Sequence, residues 1–464
     1  MVVETQQFGN YLAAFSNFGN RAPGRDLPWL QRLRKNAFAR FCELGFPTTR
    51  IEDWHFTNVS AIARTDFELA CNGMGPVSSA QITPHRIKGA ARRLVFVNGR
   101  FAPELSSGET LPDGLLVSSL ARQIAEAPEA IEPYLGRYLN IERDAFCALN
   151  SAFLEDGAYI HVRRGAIIEA PVHLLFVSAG NGRGTMSHPR NLIVAEEGSQ
   201  LAIVEDYVSL DHGVVLCNAA TEVAAGDNAV VSHYKIERES LRGFHISTLR
   251  IEQGRGSNVA SHSLLIGGAL VRNNVHPVLA GEGGECLING LFIGKGSQHL
   301  DNYMLVEHTS PHCGSRQFYN GILHNQAHGV FHGRIIVHRD AQKTDAKQTN
   351  RNLLLSDEAQ IDTKPQLEIF ADDVKCTHGA TIGQIEDRAL FYLRTRGIDE
   401  LSARQLLLLA FANECTDRMK EGAARAFIQT LIQSQVSEMT IVQSTTRENI
   451  PRKNGVERNW GELQ

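Results

Sequence analysis

The chain has 464 residues, 43% of them apolar and 21% charged, which is enough to bury a sizeable core and excludes a disordered chain. Its formal net charge of −5 argues against broad nucleic-acid binding, which needs a basic field to neutralise phosphates. No run approaches the roughly 18–20 apolar residues that span a bilayer, and the first ten residues lack the basic start and apolar run of a secretory signal. A cytoplasmic protein with no membrane or nucleic-acid partner is expected.

Residues 1–155 read as a mixed, largely helical domain. Over residues 26–44, Trp29, Leu30, Leu33, Phe38 and Phe41 recur at helical spacing. A β-branched and aromatic run over 92–97 leads into Asn98-Gly99, a hairpin signal. A second helical stretch is expected over 118–154.

From about residue 156 to 385 the texture changes to short β-rich runs separated by Gly, Asp, Asn and Ser. An internal repeat is visible. Gly198-Ser199-Gln200-Leu201 is echoed from Gly226, Gly256 and Gly284, at offsets of 28, 30 and 28 residues, with a looser echo at Ser356-Asp357-Glu358. A small turn residue followed by an alternating strand is what each coil of a β-solenoid needs, since a coil buries its apolar face only against its neighbours. The competing reading is a β-sandwich with irregular turns. The pattern then turns helical again over 386–442. Ser402 is the expected N-cap of a helix over 403–419, a second helix is expected over 422–439, and residues 443–464 read as a flexible tail.

Eight cysteines stand at positions 42, 71, 147, 217, 286, 313, 376 and 415, with no Cys-x-x-Cys. That spacing suits neither a disulfide framework nor a four-thiolate metal site, and most read as small buried apolar residues. Thirteen of the 18 histidines fall between His212 and His378. Three groups deserve weighing as metal ligands. His324, His328 and His332 share a face at even spacing; they read as a polar outer ladder of the solenoid, or as the zinc site of a β-solenoid metallo-hydrolase, although no His-Glu-x-x-His motif accompanies them. Glu307, His308, His312 and Cys313 mix ligand types in a turn, but neighbouring residues on a strand point to opposite faces. Cys376 and His378 are two apart and project from one face of an extended strand, offering the thiolate and imidazole that iron and sulfide chemistry prefers. Two ligands are too few for a complete site, so a second subunit would have to supply the rest. No phosphate-binding loop, nucleophile elbow or dinucleotide fingerprint is present, so any ATP would have to be handled by a partner.

The third group sits in a longer recognisable run. Gln342-Lys343-Thr344-Asp345-Ala346-Lys347-Gln348 leads through Lys364-Pro365-Gln366-Leu367-Glu368-Ile369 to Asp372-Asp373-Val374-Lys375-Cys376-Thr377-His378-Gly379-Ala380-Thr381 and Leu390-Phe391-Tyr392-Leu393-Arg394-Thr395-Arg396-Gly397. With Arg50-Ile51-Glu52-Asp53-Trp54-His55-Phe56-Thr57 upstream, it resembles the SufB/SufD family of iron–sulfur cluster assembly proteins over about residues 45–415. The Asp-Asp-Val-Lys-Cys-Thr-His-Gly-Ala-Thr form is similar to the SufD branch.

The resemblance implies a right-handed parallel β-helix core flanked by N- and C-terminal helical domains. It also implies a complex with the paralogue SufB, paired through the β-helix cores, and with the ATPase SufC, docked on the C-terminal helices. A transient cluster would form at the SufB interface, with His378 as the iron ligand and Cys376 as the weaker candidate; none would be permanently bound. Sulfur would arrive from a cysteine desulfurase system. The chain itself would be a non-enzymatic scaffold subunit, with a homodimeric scaffold as the alternative.

Overall fold

The computed structural model describes residues 2–70, 77–107, 111–179 and 184–448; Cys71 and most of the expected tail, 449–464, lie outside the described residues. Strands with period-two alternation stack here into two facing parallel sheets, a β-solenoid of about seven turns. The first sheet ends in Val215–Ala225, Phe244–Gln253, Leu270–Leu279, His299–His308, His328–Val337 and Gln360–Ile369. The second ends in Gln200–Ser209, Val230–Arg238, Asn258–Leu265, Glu285–Gly294, Gly314–Leu323, Asp345–Leu354 and Lys375–Gly383. From Gln200 onward each step to the next strand of a sheet advances 26–32 residues.

The inward faces of both sheets meet in one apolar core that includes Ile203, Val231, Val259, Ile288, Phe292, Met304 and Phe331. The outward faces are covered by different parts of the chain. The N-terminal region lies on the first sheet: helices Pro28–Leu44 and Ala145–Ala152 pack through Phe41 and Phe146, alongside outward-facing Leu216 and Ile246. Here the Arg50-to-Thr57 run finds its purpose. The Arg272 guanidinium carbon lies 3.9 Å from the centre of the buried Trp54 ring, Thr57 donates to Asp301 at 2.6 Å, and Glu52 pairs with Lys364 at 2.7 Å. Helices Glu400–Thr416 and Ala423–Glu448 cover the second sheet, with Leu408, Cys415, Ile428 and Ile432 against Tyr234, Ile236, Leu291 and Ile322. Asn289 and Asn320 each donate to a main-chain carbonyl of the first of these helices, at 2.9 and 2.8 Å. Among the described residues no helix is long and apolar enough to cross a membrane.

Several local expectations hold and others shift. Asn98 and Gly99 both take positive φ, 51° and 81°, between antiparallel strands Arg92–Val97 and Arg100–Phe101. The stretch 118–154 is not continuously helical. A short helix Leu120–Glu126 stops before Pro128, and the chain then follows an irregular path because the Glu222 carboxylate takes the N–H groups of Gly136 and Tyr138, both at 2.9 Å. The cap of Glu400–Thr416 is Asp399, which accepts from the Ser402 amide at 3.0 Å, so Ser402 lies inside the helix. The last helix runs on to Glu448, into the segment expected as tail.

The histidines of the solenoid give stability a definite pH dependence. Burial holds His188 and His262 down to about 3, and His299 and His308 down to about 4. Folded values below the unfolded value of about 6.5 mean that the unfolded chain binds more protons in acid. The stabilisation is full above that value and is lost as pH falls, by on the order of 2 kcal/mol per histidine at about pH 5. Burial pushes Glu237 and Glu239 the other way, with repulsion from Glu239 adding to Glu237, so their contribution is full below the unfolded value of about 4.3 and is lost as pH rises from there through their raised folded values. Urea midpoints measured across pH should therefore peak near neutrality and fall most steeply on the acid side; a flat acid limb would contradict the histidine burial.

Candidate functional site

The solenoid has two unlike ends. At its start both sheets close with antiparallel strands, Leu115–Ser119 on Ala158–Val162 and Arg100–Phe101 on Arg92–Val97. At its finish the last strands, Gln360–Ile369 and Lys375–Gly383, have a sheet neighbour on one side only. Nearly every residue of Lys375–Gly383 is exposed.

That strand carries Cys376 and His378. Cys376 pairs in register with Ala346 and His378 with Gln348, both of which are buried in the lumen. The two side chains therefore continue inward-facing columns at the mouth of the solenoid, where no further coil covers them. Through successive coils His378 extends the column Ile288–Gln317–Gln348, in which Gln348 donates to Gln317 at 2.9 Å. Cys376 is half-buried against the end of the apolar core, and burial pushes its thiol above the usual range. His378 is exposed.

The two free edges differ. The amide of Lys375 donates to Thr344, so by parallel-ladder alternation the amides of Cys376, His378, Ala380 and Ile382 face the open side. On the other sheet the Gln360 amide donates to Ala327, which turns position 365 outward, and Pro365 has no N–H to offer there. The second sheet thus presents an unblocked edge and the first a blunted one. Apolar side chains flank this end: Ile369, Ile382 and Phe370, the last 61% exposed. A separate exposed group, Phe391, Tyr392 and Leu406, lies on helices Asp387–Thr395 and Glu400–Thr416.

The other sequence candidates do not assemble. His328 and His332 sit in outward columns of the first sheet, against Asp362 at 2.7 Å and Gln366 at 2.7 Å, while His324 is in a turn after a strand of the opposite sheet. The zinc site of a metallo-hydrolase is therefore not formed by these three. Glu307 points outward to His276 at 2.5 Å, His308 inward to Ser315 at 2.8 Å, His312 occupies a turn at φ 59°, and Cys313 is buried with its thiol toward the Gly281 carbonyl. Alternation scatters them, as it must for adjacent residues on a strand. Among the described residues the one group of Cys, His, Asp or Glu side chains gathered closely enough for a metal is Cys217, Glu239 and His245. Sequence reasoning missed it, because its members come from two strands and a turn.

The architecture is thus a stacked parallel solenoid with covered flanks, a closed start and an open finish. Residues 176–411 match the SufBD core domain of the SUF iron–sulfur cluster assembly system, and residues 5–174 match the SufBD N-terminal region. The chain is 34% identical over 394 residues to an iron–sulfur cluster assembly SufBD family protein of Synechocystis, covering 83% of this chain and 86% of that one. It is 33% identical over 379 residues to the iron–sulfur cluster assembly protein SufD of Escherichia coli, covering 81% and 86%, and 26% identical over 436 residues to SufD of Bacillus subtilis, covering 91% and 96%. The chain belongs to the SufB/SufD family of iron–sulfur cluster assembly proteins, on its SufD side.

Proposed function

We propose that this subunit is one half of a two-chain scaffold for nascent iron–sulfur clusters, with the open end of the solenoid as its working surface. The observation that carries the reading is the placement of Cys376 and His378 in neighbouring inward columns on a strand with a free edge. Two ligands leave iron short of the four it takes in a cluster. The remainder comes from a partner strand added along Lys375–Gly383, a pairing whose main-chain hydrogen bonds bring a second set of side chains to the same mouth. The SufB paralogue, with a solenoid of the same kind, fits that role; the same edge admits a second copy of this chain when SufB is absent. His378 is the iron ligand. Cys376 is secondary, since burial keeps its thiol protonated and a thiol is a poor ligand. The cluster is cargo, built at the interface from sulfur supplied by a cysteine desulfurase system and passed on.

The subunit acts as scaffold and not as enzyme. ATP is hydrolysed by SufC, for which the exposed Phe391, Tyr392 and Leu406 supply an apolar landing on the C-terminal helices. A cytoplasmic setting, reducing enough to keep its cysteines free, suits this chemistry.

The test is His378→Ala in the complex co-expressed with SufB and SufC. Cluster formation, followed by iron and sulfide content and visible absorption, should drop by roughly tenfold or more while the complex keeps its size. Unchanged cluster formation would remove the ligand role. Sizing the chain with and without its partners separates heteromeric from homodimeric pairing.

A further inference from the structure

The lumen of the solenoid is not uniformly apolar. Near its first third, Cys217 and His245 are register partners on adjacent strands and both point inward. Glu239 joins them from the turn between Val230–Arg238 and Phe244–Gln253. All three are buried, and one ligand atom from each lies within 4.8 Å of those of the other two.

The turn is built to hold Glu239 there. Its amide donates to the Glu237 carboxylate at 2.9 Å, its carbonyl accepts from the Gly268 amide at 3.1 Å, and its carboxyl accepts from Ser178 at 2.7 Å. Gly267 packs against the Glu239 main chain so closely that a Cβ would collide with it. The His245 ring lies 2.8 Å from Glu239 through Nδ1, while Nε2 has no hydrogen-bond partner and no access to water. A buried imidazole nitrogen left without a partner is costly unless something else occupies its lone pair.

We propose that Cys217, Glu239 and His245 form an interior site for a divalent ion of the zinc–iron(II) class. Sulfur, imidazole and carboxylate are the ligand types such ions take, and three protein ligands leave one position for water. The charges also balance. A thiolate and a carboxylate carry two negative charges, the imidazole none, and the ion two positive, so the loaded site is neutral, as a buried site requires. Binding takes Cys217 as thiolate and Glu239 as carboxylate, so any proton either group holds is released to solvent. Lys235, inward on a neighbouring strand, has the Glu205 carboxylate as its register partner and counter-charge. The site lies in the interior, several coils from the open mouth, and is independent of the cluster site there. Because all three side chains are buried, the ion is taken up as the chain folds and acts as a staple across two coils.

The experiment is to unfold the full chain, refold it with Co2+ under anaerobic conditions without added thiols, and remove loose metal by desalting. About one Co2+ per chain with a sulfur-to-cobalt charge-transfer band is expected. Cys217→Ser should abolish the band, and Glu239→Gln should weaken retention by roughly tenfold or more. The double variant Cys376→Ser/His378→Ala should leave band and stoichiometry unchanged. X-ray absorption on the wild-type chain, which does not depend on a variant folding, should find one sulfur with nitrogen and oxygen neighbours. No retained cobalt, a sulfur count other than one, or a band that survives Cys217→Ser or disappears with the mouth variant would each overturn the proposal. A metal found in the isolated chain would then report the lumen and not the outward histidines 328 and 332.

Discussion

Replacing Ala380 with proline is expected to leave the isolated subunit folded and to cripple its pairing with SufB. The Ala380 amide faces the open side of Lys375–Gly383, so the substitution removes no hydrogen bond within the subunit. It removes a donor from the edge that a partner strand would use and sets a pyrrolidine ring in that strand's path. The loss is about 2 kcal/mol or more, roughly a thirtyfold weaker complex. Gly379→Pro is the informative contrast. Its amide points into the ladder with Asp345–Leu354, so it should destabilise the last strand itself. Size-exclusion chromatography of co-expressed subunits, with circular dichroism of each free chain, reads both effects. Equal pairing by Ala380→Pro and the parent chain would show that this edge is not the docking edge.

A second large effect is expected far from the mouth, at Arg190. Its guanidinium is fully buried and bonds Glu222 at 2.6 Å, Asn150 at 2.9 Å and Ser151 at 3.2 Å. Glu222 in turn accepts the Gly136 and Tyr138 amides. One ion pair thereby ties helix Ala145–Ala152 and the irregular segment before it to the solenoid. Arg190→Ala leaves the Glu222 charge buried and uncompensated, a loss of about 3–5 kcal/mol, which is a large part of the 5–15 kcal/mol, roughly, that holds a protein folded. Arg190→Met with Glu222→Gln removes both charges and keeps an acceptor for one amide, so it should recover part of the loss. Urea unfolding measures all three chains; a loss below about 1 kcal/mol for Arg190→Ala would mean the pair is not buried as described.

The solenoid was legible because its alternation is regular, yet its register was not. The turn residues with positive φ that stack on one another are Gly198, Asn228, Gly256, Gly283, His312 and Lys343. Reading glycine as the marker aligned Gly226 with Gly198, a slip of two that keeps every side chain on its proper face, and Gly284 with Gly256, a slip of one that reverses them. Beyond Gly283 the marker vanishes, since His312 and Lys343 hold the same backbone conformation without being glycine or asparagine. Ser356 belongs to the opposite row of turns, beside Asn325. Cys376 and His378 could be read from sequence because both lie on one strand. Cys217, Glu239 and His245 could not: stacking across coils brings together residues that a linear reading keeps apart.

The closed start of the solenoid has a consequence for how many copies can join. Each chain carries one unblocked strand edge, and two such edges meeting finish-to-finish consume each other. Toward the opposite pole the described edge strands are short: Arg100–Phe101 and Leu115–Ser119, both running against their neighbours, and the two-residue Glu68–Leu69. The proposed pairing along this edge would therefore be self-terminating at two, whether with SufB or with a second copy. A core of stacked parallel strands, the architecture nearest to a fibril, would in this way be univalent and unable to propagate.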